Sequence, residues 1–167
     1  VEQKLDMPTV DNIQESYLCL IPFCEFKKLY IDDKDKLIQS VFYDNVRDFQ
    51  GMNPVNNAMS SSVNNGEISL FTAMNNGITI VAKNFSKVGK IIHLNDYQIV
   101  NGCQTCNVLY KNRNVEGIDK LLLVVKIIAS KDKPTIDKII IGNNSQTEVL
   151  REQLVSLLKI QHTIEDY

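Results

Sequence analysis

The chain has 167 residues, 44% hydrophobic and 23% charged, which is the size and composition of one globular domain with a core of its own. Its 18 basic and 20 acidic residues give a formal net charge of -2, which excludes a global pull on nucleic acid and leaves only a local basic patch. No apolar run approaches the length of a membrane span, and the acidic, mixed start "VEQKLDMP" is not a signal peptide, so the expected compartment is the cytoplasm.

Val1 to Gln14 is polar and unpatterned, and reads as a lead-in or a short helix. "SYLCLIPFCEF", Ser16 to Phe26, carries the aromatic and apolar residues of a strand, interrupted by Pro22. Tyr30 to Gly51 starts with a charged turn, after which Leu37, Ile38, Val41 and Phe42 follow at helical or short-strand spacing. In Asn53 to Asn64, Asn53 can cap a helix that Pro54 opens. Glu67 to Met74 reads as a short helix. "NNGITIVAKNF", Asn75 to Phe85, is a turn feeding a strand, with Ile78, Ile80 and Ala82 on one face. Lys90 to Leu94 is expected to form a hairpin with it.

Gln98 to Val100 reads as a separate strand stub, and Thr105 to Lys111 as the start of a helix. "KLLLVVKIIAS", Lys120 to Ser130, is nearly continuous apolar sequence and the best candidate for a central strand covered on both faces. Pro134 starts a helix with Ile136, Ile139 and Ile140 on one side, ending near Gly142 to Gln146. Glu148 to Tyr167 reads as one or two amphipathic helices. The whole is expected to be an α/β or mixed α+β domain.

The four cysteines are Cys19, Cys24, Cys103 and Cys106. Cys103 and Cys106 have CxxC spacing, but zinc would need a second such pair or suitably spaced histidines. Cys19 and Cys24 have four residues between them rather than two, and His93 and His162 are isolated. Free thiols in a reducing cytosol, and no metal site, are therefore expected.

Four clusters place asparagine or glutamine at predicted element ends. They contain Asn45 and Arg47; Asn75, Asn76 and Gly77; Gln98, Asn101, Gly102, Gln104 and Thr105; and Asn143, Asn144 and Gln146. Each taken singly is turn and cap chemistry. Together they read as a polar ligand site, because loops at the ends of a rigid sheet are where ligands bind. In "DYQIVNGCQTCNVLY" a strand hands over to a helix at Asn-Gly. The helix start offers unpaired N–H groups and partial positive charge, and Gly102 permits close approach to the backbone. Gln104 or Thr105 adds a donor, and Arg47 would be a permanently charged phosphate partner. Amides such as Asn76, Asn101 and Asn144 suit a base or a sugar. A nucleotide or Mg2+ would be the cofactor of such a site. For catalysis the nearby carboxylates are Asp44, Asp48 and Asp96, which also read as solvated turn residues. Cys103, at a helix start, lacks an identifiable basic partner in the sequence.

The ordered set "FYDNVRDFQG", "NNGITIVA", "QIVNGCQTCNVLY" and "NNSQTEV" resembles the AIPR family, the abortive infection phage resistance proteins of bacteria. The resemblance runs from about Phe42 to the C-terminus. Members are often longer, which implies one AIPR-like domain over residues 1–167, cut from a longer protein, with 148–167 a helical tail leading to a missing C-terminal part. "IVNGCQTCNVL" also looks like the strand–turn–helix motif of ParB and sulfiredoxin-like domains, and of the DGQHR proteins related to DndB. That likeness implies a small mixed sheet with flanking helices, and a phosphate-facing turn at Asn101, Gly102, Gln104 and Thr105. Those relatives carry His-Arg or Arg-Arg where this chain has Gln104-Thr105, so Arg47 would have to act from elsewhere. The reactive cysteine of sulfiredoxin matches Cys103 by position, but without that arginine its activity does not carry over. The expected function is a phage-defence domain binding a nucleotide or a nucleic-acid backbone. The alternatives are a metal-dependent nuclease or nucleotide hydrolase, and an interaction module that docks a partner or a second copy through the C-terminal helices.

Overall fold

The computed structural model describes residues 1–43, 57, 60, 61 and 68–143. These form a mixed α+β fold around a five-stranded sheet. The strands are β1 (Gln3–Asp6), β2 (Glu15–Pro22), β3 (Ile78–Val88), β4 (Ile91–Asn101) and β5 (Leu122–Ala129), in the order β1-β2-β5-β3-β4. The helices are α1 (Phe23–Phe26), α2 (Ile68–Met74), α3 (Cys103–Lys111) and α4 (133–143).

The apolar run after Lys120 becomes the central strand, as expected, but only one face is fully covered: Leu122, Val124 and Lys126 on the other face are half-buried. β5 pairs antiparallel with β2, Cys19 opposite Val125, and parallel with β3, Ile80 beside Ile127. One face of the sheet carries the main core, where Cys19, Ile21, Ile78, Ile80, Ile99 and Val125 meet Phe23, Phe26, Tyr30, Phe71, Cys106 and Leu109. Each large side chain so buried is worth about 1.5–3 kcal/mol. The other face carries a smaller cluster in which Val81 and Val100 pack under Ile140, with Ile136 and Ile139 beside it. The isoleucine spacing read from the sequence is thus the buried stripe of α4. That helix starts on a cap in which Asp132 accepts from the Thr135 N–H at 3.0 Å and the Thr135 hydroxyl at 2.6 Å.

Three local expectations need correction. The polar lead-in contains a strand, β1, paired antiparallel with β2, Lys4 opposite Cys19. It is an edge strand whose Leu5 is 65% exposed, so the ladder holds it rather than side-chain burial, and no apolar alternation announces it. The Ser16–Phe26 strand stops at Pro22, where the chain turns into α1 and the Phe23 N–H reaches the Leu121 carbonyl at 2.8 Å. The two short strands Lys90–Leu94 and Gln98–Val100 are one, β4. Between its pairs Asn84–Asn95 and Ala82–Tyr97 stands Asp96 at φ 50°.

That left-handed residue explains the broken pattern. Tyr97 points to the main core and donates its hydroxyl to the Leu29 carbonyl at 2.6 Å. Strict alternation from Ala82 would send Phe85 to the opposite face, yet Phe85 and its partner Leu94 also pack on the main core. The hairpin changes face at Asp96, and its outer half curls over β2. There Phe85 stacks on Tyr17 with ring centroids 5.1 Å apart, and the N-terminal ammonium donates to the Lys90 carbonyl at 2.9 Å.

Candidate functional site

Strands β3 and β5 begin, and β4 ends, at the same end of the sheet. Here α2 delivers Asn75 and Gly77 into β3, and β4 delivers Asn101 and Gly102 into α3. Helix α4 returns to the same end and brings Asn143. Three of the four polar clusters therefore meet, in part, around Ile78 and Thr79.

On the α3 side, Asn75 Nδ2 donates to Thr105 Oγ1 at 2.9 Å, and its Oδ1 accepts the Gly77 N–H at 2.8 Å. On the α4 side, the Thr79 hydroxyl donates to Asn143 Oδ1 at 3.2 Å, and Asn101 Nδ2 donates to the Asn143 carbonyl at 3.5 Å. Asn143 Nδ2 is turned back to the Ile139 carbonyl at 2.7 Å. Thr79 was not among the expected residues; its one signal was a hydroxyl inside the apolar alternation of "GITIV".

Both glycines are required by geometry. Gly102 caps α3 at φ 97°, and a Cβ there would stand 2.7 Å from Ile78 Cγ1. Gly77 has φ 85°, and a Cβ would stand 2.9 Å from the Val124 carbonyl oxygen. Gly102 brings no side chain to cap α3. Its carbonyl accepts from the Cys106 N–H at 2.9 Å, the backbone bond that closes the first turn of α3.

The remaining expected residues divide. Asn76 and Gln98 are exposed, and Gln104 is half-buried beside Thr105. Asp96 is exposed and five residues before Asn101, roughly 16 Å along the strand, so it stands apart from the turn. Asp44, Asn45, Arg47, Asp48, Asn144 and Gln146 lie outside the described residues, as do Asn53 and the tail from 148. Tyr43 directly precedes the first of them in sequence, and its N–H donates to the Ile99 carbonyl at 3.1 Å; Phe42 bridges Ile99 in parallel. Among the described residues no three His, Cys, Asp or Glu side chains gather as a metal site would need. A shallow hollow of about 520 Å3 opens at Leu20, Pro22, Cys24 and Leu122, and includes none of the expected site residues.

A family model described as AIPR protein matches residues 42–167. The chain belongs to the AIPR family. The match begins where the motif resemblance begins and takes in everything that converges at the sheet end. AIPR membership points to phage defence by abortive infection. No curated protein and no solved structure matches this AIPR chain. No helix among the described residues is long and apolar enough to cross a membrane.

Proposed function

We propose that this AIPR domain serves phage defence by binding a nucleotide or a nucleic-acid backbone at the sheet end, with a phosphate against the start of α3. The observation that carries the reading is the convergence of the Asn75–Gly77, Asn101–Thr105 and Asn143 clusters around one helix start, whose N-cap is the left-handed Gly102. A turn of this kind combines partial positive charge, N–H donors and a glycine-bared backbone, which together favour an anion. The likeness of "IVNGCQTCNVL" to the ParB and sulfiredoxin-like strand–turn–helix supports the same assignment. Arg47 supplies the charged partner that Gln104 and Thr105 lack. The first two residues of its motif, Phe42 and Tyr43, run beside the strand that ends at Asn101. Asn76, Gln104 and, from the sequence, Asn144 and Gln146 offer amides for the base or sugar.

The test is a thermal-shift screen of the domain against nucleoside triphosphates and short single- and double-stranded DNA and RNA, each with and without Mg2+. Arg47→Ala is run in parallel. A ligand at 100 times its dissociation constant adds about 2.7 kcal/mol of stability, or roughly 5–10 °C for a chain of this size. The expected result is a shift with a phosphate-bearing ligand that is reduced in Arg47→Ala. No shift with any of them would return the clusters to turn and cap chemistry.

A further inference from the structure

We propose that Cys103 and Cys106 form a redox-active dithiol that a hydroperoxide oxidises to an intrahelical disulfide. Both residues sit in the first turn of the nine-residue helix α3, Cys103 half-buried at its first position and Cys106 fully buried one turn on. Residues three apart in an α-helix have Cα atoms about 5 Å apart, inside the span a disulfide bridges. The preceding residue is Gly102, already in a left-handed conformation, so the turn can tighten around a bridge without straining a side chain.

The two sulfurs have different environments, and the difference assigns their roles. Cys103 stands at the positive end of α3, where a thiolate is stabilised. Asn107 adds a donor, its Nδ2 lying 3.5 Å from Cys103 Sγ and 3.0 Å from the Cys103 carbonyl. Cys106 is kept a thiol, because burial and then the neighbouring Cys103 push its pKa well above the ordinary value. Cys103 is therefore the attacking sulfur and Cys106 the resolving one.

In the first step the Cys103 thiolate attacks the peroxide. An S–O bond forms, the O–O bond breaks, and the departing oxygen leaves as water or alcohol after taking a proton. Cys103 is oxidised by two electrons to the sulfenic acid. That step also removes the negative charge facing Cys106 and so eases its deprotonation. In the second step Cys106 sulfur attacks Cys103 sulfur. The S–S bond forms, the S–O bond breaks, and hydroxide leaves as water with the proton of Cys106. An external dithiol reverses the bridge by exchange. The thiol chemistry needs no ligand at the sheet end, although the phosphate proposed there would share the start of α3 with Cys103.

The test treats the native protein with limiting hydrogen peroxide, blocks free thiols by alkylation, and reads tryptic peptides by mass. Ile91 to Lys111 is a single tryptic peptide with both cysteines of the pair, and Leu5 to Lys27 carries Cys19 and Cys24 as an internal control. The expected result is an Ile91–Lys111 peptide two hydrogens lighter than the reduced form, restored by dithiothreitol, while the control peptide remains alkylated. In Cys106→Ala the bridge is lost, and Cys103 is trapped as a sulfenic acid by a 1,3-dione reagent. An unbridged Ile91–Lys111 peptide in the wild-type protein would overturn the proposal. So would oxidation of Cys19 and Cys24 at the same rate.

Discussion

Replacing Gly102 with alanine tests the geometry of the sheet end directly. Two separate costs arise. Alanine at φ 97° pays for a left-handed backbone, roughly 1–2 kcal/mol. Its Cβ would also stand 2.7 Å from Ile78 Cγ1 and 3.2 Å from Ile78 Cα. Ile78 is 2% exposed and cannot swing into solvent, so this overpacking adds about 1–3 kcal/mol. The sum, about 2–5 kcal/mol, lowers Tm by roughly 5–20 °C in a chain of this length. Gly89→Ala is the control: it shares a positive φ, 60°, but has nothing within 4 Å of the added carbon, so it carries only the first cost. Because the chain has no tryptophan, urea unfolding is best followed by circular dichroism. The expected loss for Gly102→Ala exceeds that for Gly89→Ala by about 1–3 kcal/mol, and in the double variant with Ile78→Ala, which removes the contacted Cγ1, the combined loss is less than the sum of the two single losses. Equal losses at the two glycines would show that the backbone of the turn does not press on Ile78.

Other substitutions test other parts of the fold. Tyr30 is fully buried, and its hydroxyl has no hydrogen-bond partner among the described residues, so Tyr30→Phe should raise stability by about 1 kcal/mol in the same unfolding assay; a loss would mean that the hydroxyl is satisfied. Asp96→Val should cost about 1–2 kcal/mol because a β-branched residue resists φ 50°, while Asp96→Gly should be neutral or stabilising; the opposite order would remove Asp96 as the point where the hairpin changes face. The Arg113 guanidinium, bonded to both oxygens of Asp35 at 2.7–2.9 Å, holds that carboxyl below its ordinary pKa. Its stabilisation is therefore fully present above the unfolded carboxylate pKa of about 3.9 and is lost as pH falls through the lowered folded value. Arg113→Gln should flatten the acid limb of a stability–pH curve below about pH 4, and an unchanged limb would show that the pair is inert.

The sequence reveals elements that bury a patterned face and hides those held by backbone bonds. The run from Leu121 to Ala129 announces β5 because a central strand buries one face completely and much of the other: Leu123, Val125 and Ile127 lie in the main core, while Leu122, Val124 and Lys126 opposite are half-buried. The isoleucines at 136, 139 and 140 announce α4 because a helix buries one stripe. β1 announces nothing, since its stability comes from a ladder that any residues can make. The break between Leu94 and Gln98 misleads for a related reason: Asn95-Asp96 looks like a turn, and Asp96 does adopt a turn-like φ, but within a continuous strand. Convergence of the polar clusters was not legible from spacing at all. It follows from β5 inserting between β2 and β3 and from α4 running back along the sheet, which together carry Asn143 to residues more than forty positions earlier.

The asparagines themselves are more committed than composition suggests. Asn75 spends Oδ1 on Gly77 and Nδ2 on Thr105, which fixes the entry to β3 against the start of α3. Asn143 spends its amide on Ile139 and Thr79, and its carbonyl on Asn101, which fixes the end of α4 against β4. Such bonds each contribute about 1 kcal/mol to folding, and an amide so engaged has less to offer a ligand. The groups best placed to meet an anion are then the backbone of the Gly102 turn and whatever cation approaches it. The asparagines act one step back, holding that turn in the shape that exposes it. Arg47 and the α3 backbone are accordingly expected to govern ligand affinity, whereas Asn75 and Asn143 govern stability first and affinity only through it. The bland reading of the asparagines as turn and cap residues and the reading of the sheet end as a phosphate seat are thus two statements about different atoms of the same turn.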